Sequence, residues 1–172
     1  PHWNKIIGEA WAAKYGLDDD KPMAMEESVI RCSQAGACSR QIAYSAVGIK
    51  PSNPLTIADH WRFGVGHTIH DQVQGALLEY WKASEYTAEI EVPCGLLNNQ
   101  VSGHADMVVD GPDGRTVLEI KSINGFGFKQ SIGARGAAEG PRDSALIQAA
   151  LYGMALNADE IAILYLATEN LS

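Results

Sequence analysis

Apolar and polar residues alternate with two distinct periods along this chain, and the change of period marks its elements. Trp3 to Tyr15 carries apolar residues at helical spacing, and a second helix is expected over Ala37 to Val47 before the Pro51-Ser52-Asn53-Pro54 loop. A long helix is predicted from Thr56 to Lys82. In it Trp61, Val65, Ile69, Val73, Leu77 and Tyr80 form an apolar stripe, although Gly64, Gly66 and Gly75 lower its intrinsic stability. The period then shortens to two. Tyr86 to Val92, Val101 to Val109 and Arg115 to Lys121 read as strands, the last two joined into a hairpin by the turn signal Asp110-Gly111-Pro112-Asp113-Gly114. A short amphipathic helix over Ala145 to Leu156 and a strand over Ile161 to Thr168 complete the pattern. The order is αβββαβ, an α/β (α+β) architecture with helices flanking a central mixed sheet and an N-terminal helical extension.

The polar residues inside these elements carry the chemistry. Asp106 closes the run Gly103-His104-Ala105-Asp106, and Glu119-Ile120-Lys121 lies in the facing strand of the hairpin, so Asp106 is expected beside Glu119. Alternation places Val117, Glu119 and Lys121 on one face and turns Leu118 and Ile120 to the other, towards the core. Two carboxylates held close repel one another, and Mg²⁺ or Mn²⁺ would relieve that repulsion through oxygen ligands. Lys121 could then reach the attacking water or a phosphate. In the helix that follows, Gln148 and Tyr152 are four residues apart and share a face. The alternatives are ordinary ones: Glu119 and Lys121 on a solvated strand, Asp106 an edge acid, and Tyr152 a core ring beside a solvated Gln148.

Four blocks in order, Gly66 to His70, Gly103 to Asp106, Glu119 to Lys121 and Gln148 to Tyr152, span most of the chain. Together they resemble the PD-(D/E)xK nuclease superfamily in its RecB-like exonuclease branch, which includes phage recombination nucleases and the nucleases of CRISPR adaptation. That resemblance implies a restriction-endonuclease-like core and a metal-dependent deoxyribonuclease acting in phage or bacterial recombination, repair or DNA processing. It implies Asp106, Glu119, the Ile120 carbonyl and His70 as ligands of Mg²⁺ or Mn²⁺. Lys121 would orient water or stabilise charge on phosphorus, and Gln148 and Tyr152 would position the substrate backbone or the site itself. An exonuclease is the first expectation. A structure-specific or restriction-type endonuclease, and a DNA-binding or assembly module without turnover, are the alternatives.

His67 and His104 fall outside the four blocks and are expected to assist the site or touch nucleic acid. Cys38-Ser39-Arg40 with Tyr44 resembles the start of the iron-sulfur members of the branch. The further cysteines of those relatives are missing before Ser172, so a cluster is not supported and Cys38 is expected to be a buried, reduced thiol. Arg40 is a candidate for contact with the acidic site or a phosphate.

Composition adjusts the picture in two ways. With 172 residues, 46% of them hydrophobic, and three irregularly spaced cysteines, the chain suits a single domain in a reducing compartment. Its helical part is expected over about residues 1–55 and its catalytic core over 56–172. It begins at Pro1 and stops just after a strand, as a piece of a longer protein would, and residues beyond Ser172 could matter. No basic, apolar leader opens it and no apolar run approaches a membrane span, so a cytoplasmic protein is expected, with DNA as partner and a homo-oligomer or a recombination protein as further candidates. The net charge of −8 opposes broad DNA coating. The acids, however, concentrate in Asp18-Asp19-Asp20, Glu26-Glu27 and the expected metal site. Lys129, Arg135 and Arg142 punctuate the glycine-rich stretch Asn124 to Arg142, expected to be a mobile loop guiding a DNA strand, with Phe126 or Phe128 stacking on a base.

Overall fold

The computed structural model describes residues 3–15, 29–53, 55–133 and 137–168. Helix α1 (Trp3–Tyr15) is followed by a two-residue strand β1 (Ile30–Arg31), a single 3₁₀ turn (Cys32–Gln34) and α2 (Ser39–Ala46). Then come α3 (Ile57–Trp81), β2 (Thr87–Leu96), β3 (Val101–Gly111), β4 (Gly114–Ile123), α4 (Gly125–Ser131), α5 (Asp143–Leu156) and β5 (Glu160–Ala167). The expected α+β architecture and the αβββαβ order are present, with three additions: β1, the 3₁₀ turn and α4. The acidic runs at 18–20 and 26–27 lie outside the described residues.

β3 is the centre of a mixed five-stranded sheet. β2 pairs antiparallel along one side of it from Leu96↔Val101 to Thr87↔Asp110. On the other side β4 pairs antiparallel with Met107 to Gly111, and β1 pairs parallel with Val101 and Ser102. Between those two partners, on that side, no strand among the described residues pairs with Gly103 to Asp106. β5 lies parallel to β4, as a crossover through α4 and α5 requires.

Local chemistry accounts for the element ends. Thr56 and Asp59 form a reciprocal cap on α3: the Thr56 hydroxyl accepts the Asp59 N–H, and Asp59 Oδ2 accepts the Thr56 N–H at 2.9 Å. The hairpin between β3 and β4 turns through Pro112-Asp113 and closes at Gly114, where φ is +112° and an added Cβ would come 2.4 Å from Asp159 Oδ2. Asp159 accepts the Arg115 N–H at 2.8 Å and ties the hairpin to the start of β5. α5 ends at Asn157, which adopts the left-handed conformation that asparagine tolerates.

Two expectations about packing are corrected. Trp61, Val65 and Tyr80 are exposed on α3, and its most buried residue is Gln74, at 3% exposure. Four-residue steps drift by roughly 40° each on a helix of 3.6 residues per turn, so Trp61 and Leu77 point roughly 160° apart and cannot share one interface. The stretch after β4 is not simply a loop. Asn124 caps α4 by accepting the Gly127 N–H at 2.8 Å, and Gly125 and Gly127 are buried. Lacking side chains there, the helix comes close to its neighbours.

Helices cover both faces of β4. Gly66 of α3 approaches Ser122, whereas Val117 packs with Tyr152 of α5 in the core alongside Cys32, Ala105 and Val108. Gly153 of α5 lies against Ile161 of β5, the parallel partner of Val117. The face carrying Val117 and Glu119, expected to be the polar one, is therefore itself covered.

Candidate active site

The site forms where β3 and β4 separate. Their last pair is Met107 with Leu118, and at the next position the Asp106 side chain takes over the sheet's hydrogen bonding, its Oδ2 accepting the Ile120 N–H at 2.6 Å. In an extended strand the N–H and C=O of one residue point to the same side, so the Ile120 carbonyl faces the same gap. Asp106 Oδ1 stands 3.5 Å from Nδ1 of His70, which α3 delivers. This carboxylate raises the proton affinity of His70 against the opposing effect of burial.

Glu119 is wholly buried. Neither of its carboxylate oxygens accepts a hydrogen bond among the described residues. Lys121 Nζ lies 2.5 Å from Oε1 and forms an ion pair with it. Burial, reinforced by repulsion from Asp106, pushes the Glu119 carboxyl up to about 7, and the nearby Lys121 and His70 only partly offset it. A buried carboxylate with unused lone pairs is the group a bound cation would satisfy.

From Lys121 a directional relay runs into α5. Lys121 Nζ donates to Gln148 Oε1 at 3.1 Å, and Gln148 Nε2 donates to the Tyr152 hydroxyl at 3.1 Å. An ammonium has only donors, so the oxygen of the Gln148 amide must face it and the NH₂ must face Tyr152. Both residues are buried, Gln148 included, contrary to the alternative of a solvated glutamine. Burial raises the Tyr152 phenol well above its ordinary range, keeping it protonated. Its ring lies on Gly103: a Cβ there would come 2.9 Å from both Cε1 and the hydroxyl oxygen. The glycine that opens the Gly103-to-Asp106 block is thus the floor for the last residue of the Gln148-to-Tyr152 block.

His70, Asp106, Glu119, Ile120, Lys121, Gln148 and Tyr152 therefore converge. The basic candidates do not join them directly. Lys129 is exposed at the end of α4, and Arg142 is exposed at the start of α5, where its guanidinium lies against Gly127 and its N–H donates to the Tyr165 hydroxyl at 3.1 Å. Arg40 is exposed in the first turn of α2, with no described contact to the site, and Arg135 lies outside the described residues. His67 and His104 are exposed. Cys38 is exposed rather than buried, because it precedes α2 at the surface. The buried thiol is Cys32, beside Gly103.

Gln74, which the sequence pattern did not single out, also reaches the site, its Nε2 donating to the Asp106 carbonyl at 2.9 Å and to Glu91 Oε1 at 3.1 Å. Gln74 lies four residues after His70 on α3, and helical spacing alone would have placed it on the same face.

No three His, Cys, Asp or Glu side chains among the described residues stand grouped as a set of metal ligands. The donor chemistry still fits a small divalent cation: two carboxylates, a strand carbonyl and an imidazole, with Glu119 lacking any hydrogen-bonding partner.

The chain is similar in fold to SSO0001. Its crystal structure matches with a TM-score of 0.57 at 18% identity, covering 99% of this chain and 77% of that one. The likeness confirms the α/β core and no more. No family model matches the chain, and no curated protein matches it.

Proposed function

We propose that this protein is a Mg²⁺- or Mn²⁺-dependent deoxyribonuclease that hydrolyses phosphodiester bonds, acting as an exonuclease in recombination, repair or related DNA processing. The observation that carries this reading is the wholly buried Glu119 carboxylate, set between Asp106 and its ion-pair partner Lys121 and pushed up to about 7. Burial makes the ionised form of this carboxyl costly, and a cation at the site would offset that cost.

Asp106, Glu119, the Ile120 carbonyl and His70 would hold the cation. When bound, it supplies Lewis-acid polarisation of the phosphate and a lowered pKa for water. Lys121 presents its ammonium where charge develops on the phosphoryl oxygens. Gln148 restrains that ammonium through Oε1, and Tyr152 fixes the Gln148 amide in turn. Lys129, exposed at the end of α4, and Arg142, exposed just before α5, would contact the DNA backbone without specifying sequence. Among the described residues no helix is long and apolar enough to cross a membrane.

End-labelled linear DNA and covalently closed circular DNA, each with Mn²⁺, Mg²⁺ or EDTA, test the proposal. Metal-dependent loss of linear DNA alone is expected from the wild type and not from Lys121→Ala. Cutting of the circle would convert the reading to an endonuclease. Binding without cleavage in any lane would leave a DNA-binding module.

A further inference from the structure

Gln74 is a neutral polar side chain buried to 3% exposure in the middle of α3, one turn beyond His70. Its Nε2 donates to the Asp106 backbone carbonyl at 2.9 Å and to Glu91 Oε1 at 3.1 Å. The β2–β3 ladder runs Ile90↔Met107 and then Val92↔Ala105, skipping the rung where Glu91 faces Asp106. Glu91 itself adopts φ +49°, a left-handed conformation disfavoured for any residue with a Cβ. Thus, at the one position where pairing lapses, a helix side chain supplies the donor for Asp106.

We infer that Gln74 is a positioning residue that aims the Asp106 carboxylate at a divalent cation. This inference rests on the metal-site reading above. Asp106 is gripped at its carbonyl by Gln74 and at Oδ2 by the Ile120 N–H, and it faces His70 through Oδ1. Two of the three holds come from α3, so Gln74 and His70 together set the distance between the helix and the ligand strand. Holding the peptide carbonyl fixes the direction of the Asp106 Cα–Cβ bond, which a hold on the carboxylate alone leaves free to rotate. Outer partners of this kind orient metal-binding carboxylates. The second hydrogen bond, to Glu91, ties that same amide to β2 and prevents it from swinging away.

The test is Mn²⁺ titration of the full chain by calorimetry, with thermal unfolding recorded beside it, for the wild type and Gln74→Met. Methionine preserves length and volume and removes both donated hydrogen bonds. Mn²⁺ affinity should fall by about 10- to 100-fold in the variant. A lower melting temperature with unchanged Mn²⁺ affinity would make Gln74 a core hydrogen-bonder only and overturn the inference. Absence of Mn²⁺ binding by the wild type would instead refute the metal-site reading itself, and the inference with it. Should Gln74→Met not fold, NMR of the unaltered chain decides: the Gln74 side-chain amide should shift along with Asp106 as Mg²⁺ is added. An unmoved Gln74 amide while Asp106 and Glu119 shift would overturn the inference.

Discussion

The Asp106 carboxylate replaces a rung of the sheet, accepting the Ile120 N–H at 2.6 Å one step past the last β3–β4 pair. One side chain thus serves both strand pairing and the proposed chemistry, and two substitutions separate the roles. Asp106→Ala leaves a buried N–H without an acceptor and should lower stability by about 1–3 kcal/mol. Asp106→Asn keeps an acceptor oxygen in place and should remain within about 1 kcal/mol of the wild type. Both should lose metal-dependent cleavage. Urea denaturation beside a nuclease assay checks the pair, and equal stability of the two variants would contradict the rung.

Metal-free stability should fall as pH rises through neutrality. The Glu119 carboxyl ionises near its ordinary value in the unfolded chain and at about 7 in the folded one, so between these the folded state binds the extra proton. Stability from this group is present at low pH and lost as pH climbs through about 7, by an amount on the order of 3 kcal/mol. His70, also raised, contributes in the same direction. Melting curves from pH 5 to 8.5 in EDTA should show the decline. Mn²⁺ should reverse it at the alkaline end, and Glu119→Gln should flatten it; a flat wild-type profile would sink this account of Glu119.

Lys121 is expected to be needed for turnover rather than for holding the cation. Lys121→Met removes the ammonium that faces Oε1 of Glu119 and the donor to Gln148. Cleavage should drop by about 100- to 1,000-fold, the range for loss of a charge-stabilising donor. Mn²⁺ affinity at pH 8 should survive, since lysine supplies no ligand. Loss of Mn²⁺ binding in parallel with activity would place Lys121 in the cation site instead.

Gly103 and Tyr152 should be energetically coupled. An alanine Cβ at 103 would lie 2.9 Å from the Tyr152 ring and hydroxyl and 3.3 Å from the Cys32 Cβ, so the ring must move and the Gln148 hydrogen bond with it. Gly103→Ala should cost about 1–3 kcal/mol through overpacking. In a Tyr152→Ala background the same change should cost far less, giving a coupling of about 1 kcal/mol or more. Additive effects in the double-mutant cycle would show that the two residues do not share this space.

Much of the fold was legible because it is written in local periodicity. Helical apolar spacing, the turn signal Asp110 to Gly114 and the period-two runs define α3, α5 and the hairpin within a few residues. β1 was not legible: Ile30–Arg31 is too short to show a period, and it becomes a strand only because Val101 and Ser102 are there to pair with it. α4 was hidden by its own glycines, which oppose a helix locally and favour one when close packing rewards their small size.

By itself the sequence determined which groups could do chemistry, since the identities and local spacing of His70, Asp106, Glu119, Lys121, Gln148 and Tyr152 are properties of the chain. Tertiary structure alone decided that Glu119 is buried without a hydrogen bond, that Tyr152 rests on Gly103, and that Gln74 rather than an apolar residue is the most buried point of α3. The reason is physical. Periodicity says which face of an element a residue occupies, whereas burial and hydrogen bonding depend on what another element, distant in sequence, brings to that face.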